Sequence, residues 1–341
     1  MREVPVKEAV GLVLCHDITK IVPGLEKGRA FRKGHVIRNE DVPRLLDMGK
    51  KNVYVWEPDQ DLVHEDEAAL RLSGHAAGPG LLRDDPNQGK VSLKADCDGL
   101  LKVNGDILKM VNSLEGVVFS TLHGNRVVTR GQVVAGTRVI PLAIARDVLE
   151  KAEGICLKHG PLISVKPFHP RWTGIVTTGS EVYEGRISDG FCSVLKKKLV
   201  PLGGRLLGQV IVPDDPDLIA MEIRRLVAEG AELIMVTGGM SVDPDDVTPA
   251  GIRASGAEVV FYGAPVLPGS MFMMAYLGNV PVCGLPGCVM FNRTTVLDLI
   301  LPRIFAGERV SKDEAAAFGQ GGLCEECQVC RYPACSFGKT I

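Results

Sequence analysis

Three short glycine-bearing segments and two aspartates have the residue types and spacing that suit phosphate chemistry. The segments are Thr177-Thr178-Gly179-Ser180-Glu181, Gly238-Gly239-Met240-Ser241 and Gly284-Leu285-Pro286-Gly287, each following a run that reads as a β-strand. Glycine lets the backbone approach a phosphate closely, and a helix start beyond it adds unpaired N–H groups and a favourable dipole. One such turn is equally an ordinary tight turn; three in one domain gather at the carboxyl edge of an open sheet, where ligands bind. Asp189, in Arg186-Ile187-Ser188-Asp189-Gly190, and Asp246, closing the second segment, are the candidate catalytic carboxylates. Either could hold Mg²⁺ beside a phosphate and so neutralise charge during transfer. Either would serve equally well as a helix N-cap.

A second constellation lies near the end of the chain, in Cys324-Glu325-Glu326-Cys327-Gln328-Val329-Cys330-Arg331-Tyr332-Pro333-Ala334-Cys335. Cysteines two residues apart can turn their sulfurs to one point, and this close run suits an iron–sulfur cluster better than a zinc ribbon, whose pairs lie further apart. A four-thiolate Zn²⁺ site and four reduced thiols in a flexible tail remain as alternatives. Cys288, at the start of a predicted helix, is either a thiol with a lowered pKa or a small buried apolar residue. The histidines show no metalloprotease spacing, and Gly179-Ser180-Glu181 is not a nucleophile elbow.

The elements that must position these residues follow from patterning. From Arg171 onward strands and helices alternate, as in a parallel sheet covered by helices. Strands are expected at Thr173–Thr178, Arg205–Val212, Glu232–Thr237 and Val280–Cys283, and helices at Asp189–Leu199 and Val289–Phe305. The clearest helix opens with Asp215 as N-cap and Pro216 at its first position, carries Ile219, Ile223, Leu226 and Val227 on one face, and stops at Gly230. Thr248-Pro249 predicts another helix with Thr248 as the cap. Residues 1–60 read as a small, mostly β unit, with apolar runs Val10–Leu14 and Val53–Trp56, turns at Gly24, Gly28, Gly34 and Gly49, and a short helix from Asp41. Residues 61–157 read as an α+β unit, with strands near Val91–Ala95 and Val117–Thr121, helices near Asp66–Ser73, Val103–Leu114 and Leu142–Glu153, and a loop over Gly74–Gly89. Proline-rich 158–170 is a linker or edge strand, 171–310 the main domain and 311–341 the cysteine-rich tail.

Composition narrows the function classes. The 341 residues carry 39 Lys plus Arg against 41 Asp plus Glu, a formal charge of −2, so no global field attracts nucleic acid or anionic membrane. The sequence has no signal-peptide pattern at Met1 and no apolar stretch long enough to span a bilayer, which makes the cytoplasm the expected location.

Taken in order, the three segments, Asp246, and Pro265-Val266-Leu267-Pro268-Gly269 resemble the molybdopterin-binding domain shared by MoeA-type and MogA-type molybdenum-cofactor proteins. The N-terminal Glu8–Asp17 and Gly28–Gly34 also resemble the MoeA type. The resemblance implies an α/β fold, a three-layer parallel or mixed sheet preceded by a smaller α+β N-terminal region. It implies a pocket for molybdopterin lined by Thr178, Gly179, Ser180, Glu181, Gly238, Gly239, Ser241, Pro268, Gly269, Pro286 and Gly287. Asp189 and Asp246 match the family's Mg²⁺-associated positions. The implied ligand is molybdopterin or its adenylylated form, with molybdate and a molybdoenzyme as further partners and a homo-oligomer as the assembly. Three functions are compatible: a molybdopterin molybdenumtransferase, a cofactor carrier or sensor with a Cys-ligated metal centre, and a nucleotide-processing enzyme like the related CinA family. Three departures stand out: the glycine- and proline-rich second-domain motif of the MoeA type has no counterpart, the tail stands in place of the family's C-terminal β domain, and Cys288-Val289 follow Gly287 where the family usually has Asn-Pro.

Overall fold

A computed structural model describes residues 1–22, 26–55 and 60–339; Gly24 and Trp56, named above, lie outside the described residues. The chain forms two compact units, one of residues 1–95, 104–122 and 131–164, the other of residues 96–103, 123–130 and 165 onward.

In the first unit Arg2–Pro5 pairs antiparallel with Asn52–Val55, and Ile18–Val22 with Glu26–Phe31, around a core that includes Leu14, Phe31, Leu45 and Val53. The run Val10–Leu14 forms no strand. Gly11 turns the chain with φ 85°, and only isolated bridges from Val13 and Leu14 remain. The expected strands at 91–95 and 117–121 appear as Lys90–Ala95 and Val117–Thr121, both paired with Val133–Val139. Helices cover Glu65–Ala76, Gly105–Asn112 and Arg146–His159. The last begins four residues later than patterning suggests, because Ala143–Ala145 is drawn into pairing with Leu62–His64. Within the expected loop, Leu81–Arg83 joins the sheet through Leu93–Ala95. Residues Ile163–Pro167, in the expected linker, form a strand.

The second unit is built on a six-stranded sheet. Its strands are β1 (Arg171–Thr178), β2 (Gly204–Val212), β3 (Leu233–Thr237), β4 (Glu258–Tyr262), β5 (Met273–Leu277) and β6 (Val280–Leu285), in the order β2-β1-β3-β6-β5-β4. The first four in that order run parallel; β5 runs antiparallel to both its neighbours, β6 and β4, which makes the sheet mixed. Every residue of β3 is buried, as expected of a parallel strand covered on both faces. One face packs on α2 (Phe191–Leu199) and α6 (Val296–Phe305), the other on α3 (Pro216–Ala228) and α4 (Thr248–Ala254). Between them lie the short α1 (Ser180–Tyr183), before α2, and α5 (Cys288–Phe291), before α6; α7 (Lys312–Ala317) follows.

Asp215 caps α3 as its sequence predicts, accepting from the N–H groups of Asp217 and Leu218, with Pro216 inside the first turn. Two expectations fail, the first for a local reason and the second for a distant one. Val289–Phe305 is not one helix: Asn292 turns extended after α5, and Thr295 restarts the chain as α6 with a capping box to Asp298. Thr248 does not cap α4, whose cap is Val247, because the buried Thr248 hydroxyl is engaged elsewhere, as described below.

Candidate functional site

Strand register brings the candidate loops to one edge. Thr177 of β1 lies beside Thr237 of β3, and Thr237 beside Leu285 of β6, so Thr178-Gly179, Gly238-Gly239 and Pro286-Gly287 leave neighbouring strands at the same level. Met273 pairs with both Gly284 and Tyr262, which puts the β4–β5 connection containing Pro268 and Gly269 at this edge too. From β1 the chain crosses to β2 on one side, whereas β3 leads toward β6 on the other. That reversal is the topological switch point at which open α/β sheets bind ligands.

The turn at Gly238 is built on side chains from two other elements. Thr178 is buried; its hydroxyl donates to the Thr237 carbonyl at 3.0 Å and lies 2.9 Å from the Thr248 hydroxyl. Gly238 passes over this pair at φ 91°, and a Cβ there would sit 2.5 Å from the Thr178 carbonyl oxygen. No side chain fits, so the sequence keeps glycine and leaves the peptide open on the edge. At Gly269 a Cβ would meet Val296 at 2.7 Å, and the Val296 N–H donates to the Pro268 carbonyl. This seats the β4–β5 loop on the start of α6.

The two aspartates play unlike parts. Asp189 accepts the N–H groups of Phe191 and Cys192 at the start of α2 and the amide of Gln209 at 2.7 Å. Gln209 also donates to Thr177, tying Asp189 to β1. Asp246 accepts the Ser241 N–H through Oδ2 at 2.8 Å and thereby closes the loop; its Oδ1 has no donor among the described residues. Asp246 is half-buried, while Ser241 and Gly287 are exposed.

Three participants went unread in the sequence. Asp214 accepts both the N–H and the hydroxyl of Ser180, so a carboxylate already sits on the start of α1. Gln209 is a polar side chain in an apolar strand, a signal that could have singled it out. Tyr262 donates to the Met240 carbonyl at 2.8 Å, and burial, then the nearby Asp246 charge, raises its phenol above the usual range. Burial also raises the Cys288 thiol, a backbone hydrogen bond opposing, which fits the buried-residue reading rather than a reactive thiolate. Glu181 is exposed on α1.

No three His, Cys, Asp or Glu side chains among the described residues are grouped so as to hold a metal ion. Neither the two aspartates nor Cys324, Cys327, Cys330 and Cys335 are gathered about one point. The loops that carry the thiols are fastened separately, Cys324 by its N–H to the Leu267 carbonyl and Cys330 by its thiol 3.4 Å from the Thr294 hydroxyl.

The family model described as "probable molybdopterin binding domain" matches residues 174–306, the stretch that forms this sheet and its loops. Over these residues the chain is similar to the molybdopterin-binding domain family. A domain family of unknown function matches residues 3–57. Among curated relatives, a molybdopterin molybdenumtransferase from Synechococcus elongatus is 26% identical over 183 residues, 50% of this chain and 42% of the relative. A CinA-like protein from Mycobacterium sp. (strain MCS) is 39% identical over 88 residues, 26% of this chain and 21% of the relative. The chain therefore spans less than half the length of these relatives. The structure of MoaB from Thermus thermophilus covers 40% of this chain and 98% of its own, with 22% identity and a TM-score of 0.34. In the matched domain all four glycine-bearing loops face one edge. No helix among the described residues is long and apolar enough to cross a membrane.

Proposed function

We propose that this edge binds molybdopterin or its adenylylated form, and that the protein acts in molybdenum-cofactor biosynthesis as a molybdopterin molybdenumtransferase. The observation that carries the reading is the meeting of Gly179, Gly238, Gly269 and Gly287 at the switch point of a domain matched by the molybdopterin-binding family. The ligand's phosphate lies along Gly238–Ser241 and Gly287 rather than at Ser180, where Asp214 already occupies the donors. Pro268 and Pro286 wall the pocket, Thr178 supports its floor, and Glu181 stands at its rim.

Mg²⁺ belongs to this proposal through Asp246, because Oδ1 remains open on the loop while Oδ2 holds Ser241. One or two carboxylate oxygens together with substrate phosphate suffice for this cation, which would supply charge neutralisation when bound. Asp189, with donors on both oxygens, positions α2 against β1. Molybdate, the recipient molybdoenzyme and a homo-oligomeric state are part of the same reading.

The test is release of AMP from adenylylated molybdopterin, with and without molybdate and Mg²⁺. Molybdate-dependent release that disappears in Asp246→Ala is the expected result. Tight pterin binding without release would assign the protein as a carrier or sensor. Turnover of a nucleotide without pterin binding would move it to the CinA-like class named by one of its relatives.

A further inference from the structure

Beyond the sheet edge, the second unit carries a feature that pterin binding does not use. After α7 the chain runs through residues 321–338 with no helix and no regular strand. The segment is a closed loop, since the Gly338 N–H donates to the Gly321 carbonyl, and it is pinned at a few points. Phe337 is buried in the sheet's core, and the Tyr332 hydroxyl donates to the Asp298 carbonyl. Irregular loops of more than about 12–15 residues are uncommon in compact domains, and those that occur are usually functional or disordered. This one contains four cysteines, and none forms a disulfide.

All four thiol residues, Cys324, Cys327, Cys330 and Cys335, line a single cavity of about 320 Å³ together with Arg293 and Thr294 from the turn between α5 and α6. A lone Zn²⁺ would require four sulfurs about 2.3 Å from one point, which leaves no cavity between them. Here all four cysteines line one cavity, and no three are grouped for a single ion among the described residues. Thiolates disposed around a volume, in a C-x₂-C-x₂-C-x₄-C order, match the demands of a polynuclear centre, whose irons and sulfides fill the space between the ligands.

We propose that the loop 321–338 holds an iron–sulfur cluster ligated by Cys324, Cys327, Cys330 and Cys335. The cluster cross-links a loop that otherwise has few anchors, and its cavity shares residues 291–294 with the segment that follows Gly287. It is independent of the pterin reading: either could fail alone.

The experiment is iron, zinc and acid-labile sulfide analysis of the full chain purified without oxygen, and again after incubation of the reduced protein with ferrous iron and sulfide. Iron and sulfide in near-equal amounts, with a broad visible absorption lost on dithionite reduction, is the expected result. Cys324→Ser and Cys330→Ser should lose most of both elements, whereas Cys97→Ser and Cys192→Ser should retain them with unchanged far-ultraviolet circular dichroism. Stoichiometric zinc without iron would overturn the proposal in favour of a mononuclear site. So would the absence of metal before and after incubation, or iron retained undiminished in both tail variants.

Discussion

The carboxyl edge of the sheet and the closed loop of the tail are both irregular backbone, yet they are held in opposite ways. At the edge, the turns at Gly179, Gly238 and Gly287 continue buried strands, and register alone brings them together. In the tail no strand fixes the path, and the chain relies on single anchors such as Tyr332 and Phe337. The edge presents backbone N–H groups, which need exact placement and no side chain. The tail presents thiols, whose placement a ligand can complete. A preformed sheet suits recognition of a diffusible anion, whereas a weakly fastened loop suits a centre that takes part in its own folding.

The largest expected effect comes from filling the floor of the edge. Gly238→Val places a branched side chain against the Thr178 carbonyl at a backbone angle that glycine alone adopts freely. Pterin binding, read by quenching of intrinsic fluorescence or by calorimetry, should weaken at least about 100-fold, or about 2.7 kcal/mol. Iron content of the tail should not change. If both properties fall together, the two regions are not held separately and the contrast is lost.

Glu308, beyond the end of α6, should instead move both regions at once. Burial would raise its carboxyl, but hydrogen bonds from Lys166, Lys102 and Arg303 outweigh burial and hold it at about 2, against an ordinary value of 4.5. The folded value is the lower one, so the stabilisation is complete above about pH 4.5 and is lost as pH falls toward 2. By linkage it is worth roughly 3 kcal/mol. Glu308→Gln should lower the neutral-pH free energy of urea unfolding by an amount of that order and flatten the acid limb. A mutant as acid-sensitive as the parent would show that another carboxylate controls the limb.

A smaller effect is expected at the floor itself. Thr178→Val removes a buried hydroxyl and leaves that of Thr248 without this partner, at a cost of about 1–3 kcal/mol. The loss should be seen in thermal unfolding and in pterin affinity. A change in stability alone would mean that the Gly238 turn keeps its shape without its support.

How much of this arrangement was legible before the structure depended on whether a signal was local. The fully apolar β3, the Asp215-Pro216 start of α3 and the glycine loops could be read directly, because strand burial, capping and tight turns are decided within a few residues. The antiparallel strands β4 and β5 were not read. Their neighbours Gly256, Gly263, Gly269 and Gly278 look like loop punctuation, and only the long-range pairing with β6 makes Met273–Leu277 a buried strand. Thr248 misled for the same reason: its cap-plus-proline pattern is local, but its hydroxyl is claimed by Thr178, 70 residues away. Among site residues, Asp246 could be named from its loop, while Asp214 is defined only by the approach of Ser180 at the start of α1.

The smallest predicted effect is the sharpest probe of the contrast, because it falls where the two regions meet. Thr295 caps α6, its hydroxyl accepting the Leu297 N–H while Asp298 reaches back to the Thr295 N–H. The next residue seats Gly269 of the edge, and the carbonyl of Asp298 holds Tyr332 of the tail. Thr295→Ala should cost about 1 kcal/mol of stability, the usual worth of an N-cap, measured by thermal unfolding. Buried strands hold the edge from several sides, so pterin affinity should stay near that of the parent. The tail has Tyr332 as one of few anchors, so its cysteines should react faster with a thiol reagent in the metal-free variant. Equal reactivity in variant and parent would show that the loop is fastened by Phe337 and its own backbone closure rather than by the start of α6.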